Sequence, residues 1–359
     1  MRLDRGAWIG YAAVVRRTLF TSVALAPLVI LLHYALDLDE TVEFVLSAAA
    51  LIPLAWLIGE ATEHAAEHTG PGIGGFLNAT FGNAPELIIA LLAVNAMNFE
   101  VVRGSLTGSV IGNLLLVLGF SLLFGGRGEI DRQSSFLALG MVGVATLLLL
   151  IPSIPGWDGD PERSSLADLS VPVSVALLVA YLALTWYSLR RHAALHIASD
   201  EEIAGWSLRL ALVVLAVATV VTALVAEILV ASIDKFATDS GLSEFFLAAV
   251  VIAIVGNAAE HGGAVVVAAR GKIKLAVEIA LASSAQVAVF LIPAVALLAL
   301  LIEPLSLALR EVEIIALAVS VLVTSVLLAD GRTSRLKGVL LIAVYLGIAI
   351  AFFLSGDRS

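Results

Sequence analysis

Gly82-Asn83-Ala84-Pro85-Glu86 sits inside an otherwise apolar run, and Gly256-Asn257-Ala258-Ala259-Glu260 repeats it 174 positions later. Each copy places an acid at membrane depth, where an ionised side chain costs about 2.5 to 3.5 kcal/mol on insertion scales, so a matched pair signals function. In a helix the Asn and the Glu three positions on share a face, and the preceding Gly admits another backbone. Two such faces make one oxygen-lined cage. The same offset of 174 carries Ser109 onto Ser283, so one register holds across two consecutive apolar runs and marks an internal duplication.

The chain has 359 residues, 60% of them hydrophobic and 14% charged, which fits a polytopic membrane protein and leaves no soluble domain of any size. Cysteine is absent, so disulfides and thiolate metal sites are excluded, and oxygen and imidazole are the strong ligands that remain. The net charge of -10 gives no basic face for nucleic acid. No cofactor is expected beyond the ions that pass through, and the partners are those ions and the lipid bilayer, with an oligomer left open.

Eleven apolar runs are long enough to cross, at 18–36, 42–59, 77–97, 105–124, 134–152, 171–189, 207–231, 242–268, 275–301, 312–329 and 336–355. With the amino terminus inside, 15 of the 20 Lys and Arg fall in inner loops; the other five are Arg103, Arg163, Lys235, Arg310 and Arg358. That split predicts a cytoplasmic amino terminus and an outer carboxyl terminus. Glu86 lies in the third run and Glu260 in the eighth, an odd separation that means opposite insertion. The predicted fold class is therefore an all-α polytopic membrane protein of 11 transmembrane helices. It comprises residues 1–41 with an extra helix, five-helix repeats at 42–189 and 207–359 of inverted topology, and a charged cytoplasmic linker at 190–206.

Pro85 removes an amide donor and frees the Phe81 carbonyl, which predicts a kink just before Glu86. A hard divalent cation wants six to eight oxygens, and the candidates are Glu86, Glu260, Asn83, Asn257, Ser109, Ser283, Gln286, Asn113 and the Phe81 backbone, completed by water. The hydroxyls of Ser109 and Ser283 also suit plain small-residue helix packing. Carboxyls that hold a cation when ionised are neutral when protonated, so cation and proton compete for one site, and that competition is all that exchange requires.

A second acidic group, Glu60, Glu63, His64 and Glu67, falls on one helical stripe at the inner end of the second run, where it lines a vestibule that gathers cations. Glu227 matches Glu60 when Leu224-Val225-Ala226-Glu227 is laid on Leu57-Ile58-Gly59-Glu60. His64-Ala65-Ala66-Glu67-His68 also has the H-x-x-E-H form of inverted zinc peptidases. Against that reading, Thr69-Gly70-Pro71-Gly72 is expected to end the helix at once, no third ligand is in view, and the duplicated acids go unexplained.

These motifs resemble the calcium/proton exchanger (CAX) family of the cation/calcium antiporter superfamily over the second to eleventh runs. The carriers are Gly59-Glu60-Ala61-Thr62-Glu63, Leu77 to Leu87, Gly108 to Gly119, Gly256 to His261, and Ser283-Ser284-Ala285-Gln286. The resemblance implies that Glu86 and Glu260 are the central acids of a cation site formed by both repeats. It also implies that Glu63 and His261 lie on the cytoplasmic side and that the first helix stands apart from a ten-helix core. Two departures are a short linker with only Asp200, Glu201 and Glu202, and Gly112 where Ser is frequent. The function so implied is calcium export in exchange for protons across a plasma membrane, not an enzyme activity. A sodium-coupled or broader divalent exchanger, a passive channel and the zinc peptidase are the rivals.

Overall fold

Long runs of Leu, Val, Ala and Ile must satisfy every backbone amide within the segment once water is excluded, and they do so as helices. The computed structural model describes residues 18–36, 38–192 and 205–357, with the side chains of 70–76, 78, 79, 186–192 and 259–261 outside the described set. In chain order the helices are α1 (Thr18–Ala35), α2 (Glu40–Phe81), α3 (Ala84–Asn95), α4 (Phe99–Gly125), α5 (Arg132–Gly156), α6 (Ser164–His192) and α7 (Leu208–Ala231). There follow α8 (Ile233–Ser240), α9 (Glu244–Gly256), α10 (Ala258–Ala269), α11 (Ile273–Ala299), α12 (Glu311–Leu328) and α13 (Arg335–Ser355). Most of the linker expected at 190–206, and the basic amino-terminal residues, lie outside the described residues.

Among the described residues nine helices are long and apolar enough to cross a membrane, or ten if α8 and α9, bent by 112°, count as one broken span. The chain is a multi-pass membrane protein. The span expected at 77–97 breaks just before Glu86, where a kink was expected, and the span expected at 242–268 is interrupted as well; they are the two that carry the repeated motif. Helix α2 runs to Phe81, the chain leaves helical geometry at Gly82-Asn83, and α3 is only 12 residues long. Likewise α9 stops at Gly256, Asn257 breaks the helix, and α10 restarts at Ala258. Asn83 (φ -100°, ψ 18°) and Asn257 (φ -85°, ψ 9°) have nearly the same backbone conformation. Further along, π-helical turns at Gly112–Val117 and Val287–Leu291 also correspond at the 174 offset.

Pro85 alone is thus not the cause of the break, because Ala259 stands at the equivalent position. At the second break the Asn257 side-chain amide donates to the Ala253 carbonyl at 2.9 Å, sharing that acceptor with its own backbone amide at 3.3 Å.

A correction concerns Gly70-Pro71-Gly72, which does not end the helix: helical geometry continues to Phe81. A straight run from Ile58 to Phe81 would span about 35 Å at 1.5 Å per residue. Phe81 instead packs on the small cluster of Ile58, Ala61, Ala84, Leu215 and Ala218, so α2 bends sharply between them.

Among the described residues the β structure is a two-stranded antiparallel ribbon, β1 (Gly128–Glu129) with β2 (Arg332–Thr333). It ties the α4–α5 turn to the α12–α13 turn at what we call the ribbon face. At the far face, residues before α12 are extended yet buried, and their amides are satisfied by side chains: Leu307 N donates to Ser170 Oγ at 2.8 Å and Leu309 N to Ser153 Oγ at 3.0 Å. Buried charges gather beside them. Arg103, 2% exposed, pairs with Glu100 at 2.8 Å and Glu162 at 2.6 Å. Arg310 also engages Glu100 and lies 4.1 Å over the Phe245 ring, while Glu313, fully buried, accepts from Arg310 N and from Thr107 Oγ1, both at 2.8 Å. Each carboxylate of the network has a donor, while Arg103 Nε and Glu162 Oε2 make no hydrogen bond among the described residues.

Helix α1 rests on α2, with Phe20 edge-on to Trp56 at 4.7 Å and His33 bonded to Glu43 at 2.8 Å. In the core, α4 crosses α9 so closely that a Cβ on Gly108 would fall 2.1 Å from the Ala249 carbonyl oxygen. Backbone is met there, and it has nowhere to yield. Gly108→Ala is expected to lower the melting temperature of the purified protein through an overpacking cost of about 1–3 kcal/mol or more. Gly140→Ala, in the interior of α5 with open space around it, should not lower the melting temperature in the same scan and is expected to raise it slightly.

Candidate functional site

Both helix breaks open toward the same interior region. Glu86 is the third residue of α3 and Glu260 the third residue of α10, so each acid sits in the first turn of a helix whose dipole favours negative charge. The two short helices leave the middle toward opposite faces: α3 ends beside the start of α4, whereas Ala268 of α10 packs at Gly125, where α4 ends.

Glu86 is 7% exposed and lies against the second motif. A Cβ placed on Gly256 would come within 3.2 Å of Glu86 Cγ and 3.3 Å of Oε1, so the glycine of one copy accommodates the acid of the other. Asn257 joins the halves by hydrogen bonds. Its Nδ2 donates to Ser109 Oγ at 2.7 Å, and its Oδ1 accepts from Asn113 Nδ2 at 3.2 Å. Asn113 Nδ2 also reaches Ser283 Oγ at 3.3 Å. Asn113 is fully buried, and its Oδ1 accepts no hydrogen bond among the described residues, which leaves an acceptor oxygen of the kind a hard cation uses.

Of the residues singled out in the sequence, the structure brings Glu86, Ser109, Asn113, Asn257 and Ser283 together, with Asn83 buried at the first break. The side chains of Glu260 and His261 lie outside the described residues, although their backbone places them in the first turn of α10. Gln286 is half-buried at the start of the π-helical turn, without a hydrogen bond among the described residues, and the Phe81 side chain faces the α2–α7 cluster. Among the described residues no group of three His, Asp or Glu is arranged for a metal.

Glu60, His64 and Glu67 of the acidic stripe lie close together on α2. His64 lies 3.7 Å from Glu60 and 3.3 Å from Glu67, and its ring lies tilted by 34° against that of Trp206, centroids 5.0 Å apart; the Trp206 carbonyl accepts from His68 Nε2 at 2.8 Å. Both imidazoles are thereby engaged by protein groups, and Glu63 and Glu67 are exposed. Glu227 is a correction. It is exposed near the end of the 24-residue α7, about 30 Å along the axis from Trp206, and so cannot share a mouth with Glu60. The match of Glu227 to Glu60 used an offset of 167; the chain's own register, 60 plus 174, gives Asp234.

The sequence reading missed the far-face network, because Glu100–Arg103 and Arg310–Glu313 look like ordinary pairs at helix ends. The available signal was Arg103 itself, which with Glu100 makes up all the charge in the apolar α4.

The profile of the family described as sodium/calcium exchanger protein matches residues 40–190 and 210–354. The Ca(2+)/H(+) antiporter of Synechocystis sp. is 36% identical over 352 residues, covering 91% of this chain and 94% of that protein. The Ca(2+)/H(+) antiporter ChaA of Bacillus subtilis is 36% identical over 330 residues, covering 88% and 93%. Among solved structures, native YfkE superposes with a TM-score of 0.82 at 33% identity, over 94% of this chain and 99% of that one.

Asn257→Ala strips partners from Ser109 and Asn113 in a dry interior, and is expected to destabilise the purified protein by about 1–3 kcal/mol. Gln286→Ala, which removes no hydrogen bond among the described residues, should cost clearly less in the same melting experiment.

Proposed function

The chain belongs to the sodium/calcium exchanger protein family, within its calcium/proton exchanger (CAX) branch, and we propose from that premise that it is a secondary antiporter exchanging calcium for protons. The observation that carries this reading is the lodging of Glu86 against Gly256, with Asn257 bonded across to Ser109 and Asn113. An acid of one motif thus meets the glycine of the other, beside that motif's amide.

In this reading the residues 42–189 and 207–359 are inverted repeats, and the site at their meeting point lies near the bilayer midplane. The matching helix breaks at Asn83 and Asn257, the matching π-helical turns, and the opposite courses of α3 and α10 all support it. The eleven crossings are the nine long helices together with the two broken spans. Calcium is held by Glu86 and Glu260, with Asn83, Asn113, Asn257, Ser109, Ser283, Gln286, the Phe81 carbonyl and water as further oxygens. Helix dipoles at the starts of α3 and α10 favour the ionised carboxylates while the cation is bound.

Protons then compete for the same oxygens. With the cation gone, two bare carboxylates facing each other at membrane depth are costly, and protonation neutralises them. The site changes the face it opens to when it carries either occupant and resists the change when it carries neither. Calcium leaves the cytoplasm and protons return, with the amino terminus inside and the ribbon face, which holds Arg127, Arg132, Arg270, Lys272, Arg332 and Arg335, toward the cytoplasm of a plasma-membrane exporter. Glu60, Glu63, Glu67 and His261 line the approach from that side. The family is one of transporters, and the H-x-x-E-H stretch has no enzymatic part in this account.

The test is flux in sealed vesicles. Calcium-dependent proton release by the wild type is expected to fall to the level of empty vesicles in Glu86→Gln and in Glu260→Gln, with the protein still folded. Full proton-coupled calcium movement in either variant rejects the site. Calcium movement driven by a sodium gradient and indifferent to a proton gradient rejects the coupling ion.

A further inference from the structure

The ribbon face holds a cavity of about 500 Å³ that the transport site does not use. It is lined by Arg127, Glu129, Asp330, Arg332, Ser334 and Lys337, between the end of α4 and the start of α13. Asn113, the nearest member of the central site on α4, is about 18 Å away along the helix axis from Gly125.

The charges in this cavity are not balanced. Ribbon pairing sets Glu129 opposite Arg332, yet neither Arg127 nor Arg332 makes a side-chain ion pair among the described residues. Lys337 pairs with Asp330 at 2.6 Å and donates to the Arg332 carbonyl at 2.8 Å, which fixes one wall. Arg335 stands at the rim, its Nε 3.7 Å from where a Cβ on Gly126 would be. Four bases therefore face two acids, in a chain whose net charge is -10. Two of those bases, Arg335 and Lys337, occupy the first and third positions of the 21-residue α13, where the dipole favours anions and disfavours cations. No acidic residue occupies that first turn. The excess positive charge sits where α4 leaves the membrane and α13 re-enters it, at the level of lipid headgroups.

We propose that this cavity binds a phosphate-bearing anion, with the Arg127 and Arg332 guanidinium groups as its two principal donors. Guanidinium is suited to this because its planar fork meets two phosphate oxygens at once. Asp330 is already neutralised by Lys337, and exposed Glu129 is the one acid that opposes the ligand. The assignment is independent of which ions the central site carries.

Retention of dioleoylphosphatidylglycerol by the full chain, titrated in detergent and read by native mass spectrometry, tests it without any transport assay. The double variant Arg127→Gln/Arg332→Gln is expected to bind about 30-fold more weakly, from about 1 kcal/mol per basic side chain at a membrane surface. Glu129→Gln should bind more tightly, and Arg163→Gln, on the far face, should match the wild type. Displacement of the lipid by millimolar inorganic phosphate identifies a soluble phosphate as sufficient ligand; failure to displace it identifies the lipid headgroup. Equal retention by wild type, the double variant and Glu129→Gln overturns the proposal. Since Arg127 and Arg332 are exposed, an unchanged melting temperature checks that the fold is intact, and Glu129→Gln decides the question if it is not.

Discussion

Glu86 rests on Gly256, and that contact exists only because two apolar runs stop being helical at an asparagine. A continuous membrane helix uses up its own amides and presents side chains alone to its neighbours. Interrupting it exposes fresh N–H groups and carbonyls, which lipid would not tolerate but a protein interior can use. Here the interruptions fall in two helices that approach each other, so each break is covered by the other motif. Asn257 illustrates the arrangement: one side-chain amide nitrogen shares the Ala253 carbonyl with the backbone of its own helix and also bonds Ser109, while the amide oxygen receives Asn113. The local break and the contact between motifs are made by the same side chain.

That arrangement explains why the site was legible in the sequence while some of its details were not. A polar motif in an apolar run is conspicuous, and a fixed register linking Asn83 to Asn257 and Ser109 to Ser283 predicted equivalent places in the fold. The membrane helices themselves follow from hydropathy. What hydropathy cannot show is where helical geometry fails. Pro85 advertised one break, but the other is made by an Asn whose side chain bonds backward, which no residue type announces. The π-helical turns after Ser109 and Ser283 are equally silent, being set by packing in the interior. Glu227 was misplaced because a four-residue likeness was read as a shared mouth, whereas both Glu227 and Asp234, the position that the 174 offset gives, lie at or beyond the end of α7 that is remote from Trp206.

The far-face charges were hidden for a different reason. Each pair is local in sequence, and only the buried extended strand of residues before α12 brings them into one cluster. Burial turns them from solvated helix ends into a connected network, with Arg310 bridging the Glu100 carboxylate, the Phe245 ring and the Gly356 carbonyl. Their importance is a property of the assembled fold, not of any one segment.

The two-stranded ribbon has a mechanical meaning when set beside that network. Ribbon pairing fastens α4 to α12 and α13 at one end, and the Arg103–Glu100–Arg310–Gly356 chain fastens the same three helices at the other. Rods pinned at both extremities cannot splay, slide or twist past one another without breaking main-chain ladder bonds or uncovering a buried guanidinium. These three therefore travel as a single strut, and its stiffness holds Ser109 and Asn113 at fixed spacing whatever the rest of the molecule does.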